Sequence, residues 1–364
     1  MNYMDELQTY WLYGVTAIIS LLFCWHSERT DKKRGLVAAA TLLIFVSGFR
    51  AYSVGVDTSL YKTGIEYFFE RGEVSWNSSF AYGYGVFTRF LLNFYNDYTF
   101  VLLVQATITH GLILARFWDF RKRCSLTFML FAYICTTYFY TLCIICQYVA
   151  VALVFWGSRY ADKGMILPYV IVIMIASCLH VSALVALVDV AMRLVKLRGV
   201  FPLKALLQVL ALMCICIIGM YGAGLFSDRY SSYARISSSI GLMVFAQIFV
   251  LVACLLACGY FANKVSVDNL SLRNDLESCA PYALRLYFLG LLLSAASYVV
   301  ANAGRIAYYF TIYGCVCFGA MAKYSTKSRT RLLCAIFLVA WLIAYCSYTC
   351  FINSALGIVP YSFV

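Results

Sequence analysis

Arg50, Asp57, Gln147, His180, Arg235 and Arg305 are polar side chains that interrupt or border long apolar runs. The arginines offer a planar fork that makes paired, charge-assisted hydrogen bonds to phosphate. Asp57 sits in Gly55-Val56-Asp57-Thr58, which has turn chemistry. Its carboxylate could orient a sugar hydroxyl or pair with an arginine. His180 is a candidate general base, since free imidazole titrates near pH ~6.5. By spacing alone it reads more simply as a hydrogen-bonded histidine at a helix end. Gln147 could bond a substrate oxygen or join two helices. Arg50 opens the stretch Arg50-Ala51-Tyr52-Ser53-Val54-Gly55-Val56-Asp57-Thr58-Ser59-Leu60-Tyr61, and Arg305 is followed by Tyr308 and Tyr309. For Arg50 and Arg305 the structural alternative is snorkelling to lipid headgroups. For Arg235 and its neighbour Arg229 it is a solvated loop.

The elements that must position these residues are membrane helices. The chain is 63% hydrophobic and 12% charged, against about 25% charged in a soluble domain, and its mean hydropathy is +0.83. Long apolar runs parted by short charged clusters predict an all-α polytopic membrane protein. They do not show the ten-residue alternation of a β-barrel. The formal charge of +12 does not indicate nucleic-acid binding, because the basic residues fall in small clusters between apolar runs, the positive-inside pattern. The 16 cysteines lie mostly inside apolar runs, where cysteine packs as a small hydrophobe. Cys143-x-x-Cys146 has no second cluster or nearby histidine to make a metal or redox site. Asp5 and Glu6 precede the first apolar run, unlike the positive start of a signal peptide.

Hydropathy predicts spans over 10–25, 36–49, 99–117, 125–141, 142–157, two short helices within 165–195, then 203–225, 240–261, 282–303, 306–322 and 332–352. That is about twelve spans, with 80–95 as one further re-entrant or interfacial helix. The whole of 1–364 is expected to form a single membrane domain. Most of the Lys and Arg then fall in cytoplasmic loops. Arg50, Lys62, Arg71, Arg89, Arg229, Arg235 and Arg305 fall on the other side, against the usual bias. Both termini are placed outside, and the external loops 50–79 and 226–239 are expected to contribute to a site. His110 reads as structural, His26 as solvated, and Asp189 and Arg285 as lying near the inner half.

These residues also follow a family pattern. Arg50 with Val54-Gly55-Val56-Asp57-Thr58-x-x-Tyr61, Gln147 in a later hairpin, His180-x-Ser182-Ala183-Leu184, Arg305-x-x-Tyr308-Tyr309 and Pro360-Tyr361 together span most of the chain. The chain resembles the EpsG-like branch of Wzy-type bacterial polysaccharide polymerases. It departs from the pattern at Cys146-Gln147, where an Arg-Gln pair is common, and at Phe80–Tyr84, which lacks a common Glu. The resemblance implies a GT-C-like fold in the bacterial inner membrane with a site facing the periplasm. It also implies transfer of an undecaprenyl-diphosphate-linked glycan to the non-reducing end of another lipid-linked repeat unit, building O-antigen, capsule or exopolysaccharide. Arg50, Arg305 and Arg235 would then meet the diphosphate. His180 would be the base, with Asp57 as rival, and Tyr61, Tyr308 and Gln147 would hold substrate. No metal or other cofactor is implied, and a chain-length regulator in the membrane is an expected partner. An O-antigen ligase, a lipid-linked oligosaccharide flippase and a structural membrane subunit are the alternatives.

Overall fold

In the computed structural model the described residues are 4–73, 81–194, 282–297, 303–325, 329–353 and 356–364, with isolated helical positions at 218, 248 and 249. Among them no strand forms, and helices account for nearly all regular structure. Among the described residues five helical stretches are long and apolar enough to cross a membrane: Glu6–Thr30, Tyr98–Phe120, Leu126–Cys143, Ala303–Lys323 and Ala335–Ile352. The expected spans 203–225 and 240–261, the loop 226–239 and Arg235 lie outside the described residues.

The chain clusters into two compact units. The first holds Met1–Arg121, Leu126–Leu184 and Trp341–Val364. Its helices are α1 (Glu6–Thr30), α2 (Lys33–Gly48), α3 (Thr58–Arg71), α4 (Tyr82–Phe94), α5 (Tyr98–Phe120), α6 (Leu126–Tyr133), α7 (Phe139–Cys143), α8 (Ile145–Asp162) and α9 (Ile166–Leu179). A π-helical turn, Ile134–Tyr138, joins α6 to α7 into one span. Asp5 starts α1 with a capping box: its carboxylate accepts from the Gln8 N–H, and the Gln8 amide oxygen accepts from the Asp5 N–H. Asp97 caps α5 with a single bond, accepting from the Thr99 N–H at 2.8 Å.

One end of this unit is basic and tightly tied. Arg116 on α5 donates to Ser158 at 3.2 Å, to Asp119 at 3.1 Å and to Asp162. Arg159 reaches Asp119 at 2.9 Å, and Arg121 donates to Asp31 at 2.8 Å. Glu28 accepts from the N–H and hydroxyl of Thr127. The C-terminal ends of α1, α5 and α8 and the start of α6 therefore meet here. It follows that α1, α5 and α8 run one way while α2 and α6–α7 run the other. Twenty-three residues of α5, about 34 Å of helix, separate this end from the opposite one. At that opposite end lie the C-terminus of α2, the N-terminus of α5, the junction of α7 with α8, and the C-terminus of α9.

The loop expected at 50–79 contains a helix, α3. It has a readable cause. Tyr61, Ile65 and Phe68 are buried at helical spacing, and Gly72 ends the helix at φ +71°. His180 stands at a helix end: it follows α9 and precedes a 3₁₀ stretch, Val181–Ala186.

The second unit holds Lys122–Ser125 and Val185–Ala340. Its described helices are α10 (Leu187–Leu194), α11 (Ala283–Ala296), α12 (Ala303–Thr311) and α13 (Tyr313–Ser325). α11 packs against both α12 and α13. On α10 the buried pair Arg193 and Asp189 sits at 2.8 Å, with the guanidinium 4.6 Å from the Tyr282 ring centroid. A last helix, α14 (Arg329–Cys346), passes from the second unit into the first and continues as a π-helical stretch, Ser347–Ile352.

Candidate functional site

The site grows from a break in the helical rod. α7 ends at Cys143, Ile144 takes φ −97° and ψ 61°, and α8 begins at Ile145. A helix end leaves carbonyls without intrahelical partners, and a helix start leaves N–H groups so. Two side chains from the segment after α2 satisfy the carbonyl side. Arg50 donates through Nη2 to the Leu142 carbonyl at 3.0 Å, and Thr58 donates to the same oxygen at 3.2 Å and to Val54 at 2.9 Å. Between them the chain turns, with the Thr58 N–H bonded to the Gly55 carbonyl at 3.0 Å. Gly55 takes φ +93°, and a Cβ there would strike the Leu142 carbonyl, so glycine is required twice over.

The C-terminal tail closes the other side of this segment. Arg50 pairs with Phe363 in an isolated antiparallel bridge. The Ala51 N–H bonds Ser362 at 2.8 Å, the Gly55 N–H bonds Gly357 at 2.8 Å, and the Val56 N–H bonds Leu356 at 3.0 Å. The Tyr361 hydroxyl donates to the Val46 carbonyl at 2.8 Å, and Tyr13 donates to Ile358 at 2.8 Å. The Met4 N–H bonds the Tyr361 carbonyl at 3.0 Å, so both ends of the chain reach the end that carries Arg50.

Arg50 is only 2% exposed. Its Nη1 donates to the Ser47 carbonyl and its Nη2 to Leu142. Its Nε has no hydrogen-bond partner, and among the described residues no carboxylate pairs with it. Burial pulls its pKa down from the ordinary value; the nearby Tyr361, Tyr98, Tyr138 and Tyr13 act in the opposite direction. Arginine keeps its charge under such conditions. The result is a buried cation held by carbonyl dipoles alone.

The other expected residues of this unit gather around the same break. Asp57 stands at the N-cap of α3, half-buried, with its backbone carbonyl accepting from the Tyr61 N–H at 3.0 Å and its side chain making no capping bond. Tyr61 is buried edge-on to Tyr84, with ring centroids 6.1 Å apart, in one apolar cluster with Ile145 and Cys146. Gln147 is fully buried in the first turn of α8. Its neighbour Cys146 donates to the Leu179 carbonyl at 3.3 Å, which joins the break to the end of α9. His180 follows directly, with its Nδ1 2.6 Å from the Ser182 hydroxyl. Arg305 and Tyr308 lie on α12 in the second unit, both half-buried, with Arg305 in the first turn.

Sequence reading missed the polar shell behind Arg50. Ser47 shares a bond with His110 Nε2 at 2.8 Å, and His110 Nδ1 lies 2.7 Å from the Tyr133 hydroxyl. Tyr138 lies 3.3 Å from Ser47 and donates to Leu43 at 3.2 Å. His110 has both ring nitrogens engaged, which fits its reading as structural. A polar residue in an apolar run was the available signal; its partners, on other helices, were not.

A buried arginine that no carboxylate pairs with among the described residues thus stands at the junction of α7 with α8. The sequence profile of the EpsG family matches residues 34–363, nearly the whole chain. The protein belongs to that family, which is Wzy-like and polymerase-type, and it is a multi-pass membrane protein of polysaccharide biosynthesis. No curated protein and no solved structure matches it.

Proposed function

We propose that this protein is an oligosaccharide repeat-unit polymerase acting at the outer face of the bacterial inner membrane. A hydroxyl at the non-reducing end of one lipid-linked repeat unit attacks the anomeric carbon of a glycan on undecaprenyl diphosphate. The new glycosidic C–O bond forms as the anomeric carbon–phosphate oxygen bond breaks. The diphosphate leaves with the electron pair, and the hydroxyl proton passes to a base.

The observation that carries this reading is the buried guanidinium of Arg50 at the end of α7, which no carboxylate pairs with among the described residues. An isolated buried charge is costly, and an anion arriving beside it would offset that cost. Charge developing on a leaving diphosphate is stabilised by such fixed donors. Arg50 is held in place by two carbonyls, so its Nε and its field are what it offers. Arg305 and Arg235 are proposed as further diphosphate contacts. His180 is proposed as the base, with Asp57 as its rival, and Tyr61, Gln147 and Tyr308 as substrate contacts. The basic clusters at the far end of the first unit, by the positive-inside rule, support placing this end and both termini outside. A membrane chain-length regulator is the proposed protein partner.

The test is complementation of a polymerase-deleted strain with the wild type and with His180→Ala, Asp57→Ala or Arg305→Ala, with membrane levels measured alongside. The wild type should restore a glycan ladder. A variant lacking a catalytic group should leave single repeat units at the surface at normal protein levels. Single units at the surface speak against a flippase, which would leave none there. Failure of the wild type to restore the ladder in its cognate background overturns the proposal.

A further inference from the structure

We propose that α4 is an interfacial helix whose outward face binds the phosphate-and-acyl layer of the bilayer's outer leaflet. Three observations converge. The first is length. Its 13 residues extend about 20 Å, too short for a hydrocarbon core of ~30 Å.

The second is attachment. Ala81, the N-cap of α4, donates its N–H to the Leu179 carbonyl at the end of α9. At the other end only Tyr95, Asn96 and Asp97 separate α4 from the first turn of α5. The two ends are therefore fixed to the end of α9 and the start of α5, which lie at the same end of the unit. A helix so tied runs along the boundary rather than across it.

The third is the division of its faces. Tyr84, Gly85, Thr88 and Leu91 are buried, and the Tyr84 hydroxyl accepts from Gln105 on α5 at 2.7 Å. On the opposite face Tyr82, Val86, Phe90 and Phe94 recur every fourth residue and are 62%, 46%, 66% and 78% exposed. Arg89 shares that exposed arc, 5.3 Å from the ring of Phe69 on α3. An apolar stripe with a basic residue beside it, lying in the plane of the boundary, complements acyl chains below and lipid phosphates above. Tyrosines at the two ends of the helix, Tyr82 and Tyr95, suit the headgroup level. A water-facing helix would carry mainly polar residues on this arc, whereas here four large apolar or aromatic side chains outnumber the polar Arg89 and Asn93.

The experiment uses the full chain in vesicles of phosphatidylglycerol labelled in the headgroup phosphate. The photoreactive residue p-benzoylphenylalanine is placed at position 90, 94 or, as control, at the charged position 66 of α3. Both test positions are exposed aromatics, so each variant keeps the buried face intact, and either suffices if the other is poorly expressed. Irradiation should attach labelled lipid to the protein from 90 and 94 several-fold more than from 66. Crosslinking to a second copy of the chain in place of lipid overturns the proposal. So does absence of lipid adduct from both test positions, or equal labelling from all three.

Discussion

Replacing Arg50 by methionine separates two roles that the geometry joins. Methionine fills similar space without charge. The loss is two hydrogen bonds from a charged donor, to Ser47 and Leu142, at about 1.5–3 kcal/mol each. The Leu142 carbonyl keeps its bond from Thr58, so only the Ser47 carbonyl loses a donor outright. Against this stands the removal of a buried cation that no carboxylate among the described residues offsets, whose burial costs several kcal/mol. The two terms are of like size, so the expected net change in stability is within about 2 kcal/mol, of either sign. Transfer activity should behave differently. Removing one fixed donor to developing negative charge costs on the order of 100- to 1000-fold in rate. The assay is repeat-unit polymerisation by purified protein, normalised to folded protein, beside thermal unfolding in the same detergent. Arg50→Lys, which keeps the charge but loses the fork, should fall between. The reasoning is refuted if Arg50→Met unfolds far below the wild type and its activity loss follows the folded fraction. Arg50 would then be a clamp on the helix break and nothing more.

Gly55→Ala should destabilise the protein by about 1–3 kcal/mol, since alanine is strained at positive φ and its Cβ meets the Leu142 carbonyl; an unchanged melting temperature would show that the turn can move away. Arg116→Ala should cost about 1–3 kcal/mol and leave activity per folded molecule unchanged: the guanidinium is buried but Asp119 and Asp162 are 35% and 23% exposed, so water takes over part of the lost pairing. Melting in detergent beside a normalised polymerisation assay checks it, and lost specific activity would mean the basic end communicates with the site.

Much of the fold was legible because lipid imposes a simple rule on sequence: spanning helices are apolar and their charged loops mark the ends. α1, α5 and the span ending at Cys143 follow hydropathy closely. The helix α3 was legible by another rule, the spacing of Tyr61, Ile65 and Phe68, but a mixed-charge loop hid it. The short α4 was legible as a helical segment distinct from the long spans, because Arg89 and the glycines at 83 and 85 interrupt the apolar run. The second-unit candidates show the reverse limit: Arg305 is readable as a boundary arginine, while its distance from Arg50 is a matter of tertiary arrangement that spacing does not encode.

The break that organises the site falls close to the boundary that hydropathy predicts between spans 125–141 and 142–157, yet no residue type at the junction marks it. Thr141-Leu142-Cys143-Ile144-Ile145 contains neither proline nor glycine, the residues that usually interrupt a helix. Each of these residues would continue a transmembrane helix on propensity alone. The interruption is stabilised from outside, by Arg50 and Thr58 bonding the freed Leu142 carbonyl and by Cys146 bonding Leu179. A bilayer makes every open backbone group expensive, so a break without such partners would close back into helix. Arg50 and the break depend on each other in part: the open Leu142 carbonyl helps hold the arginine, and the arginine shares with Thr58 the task of satisfying that carbonyl. That mutual dependence explains why sequence could single out the arginine and still leave its partner, 92 residues away, unseen.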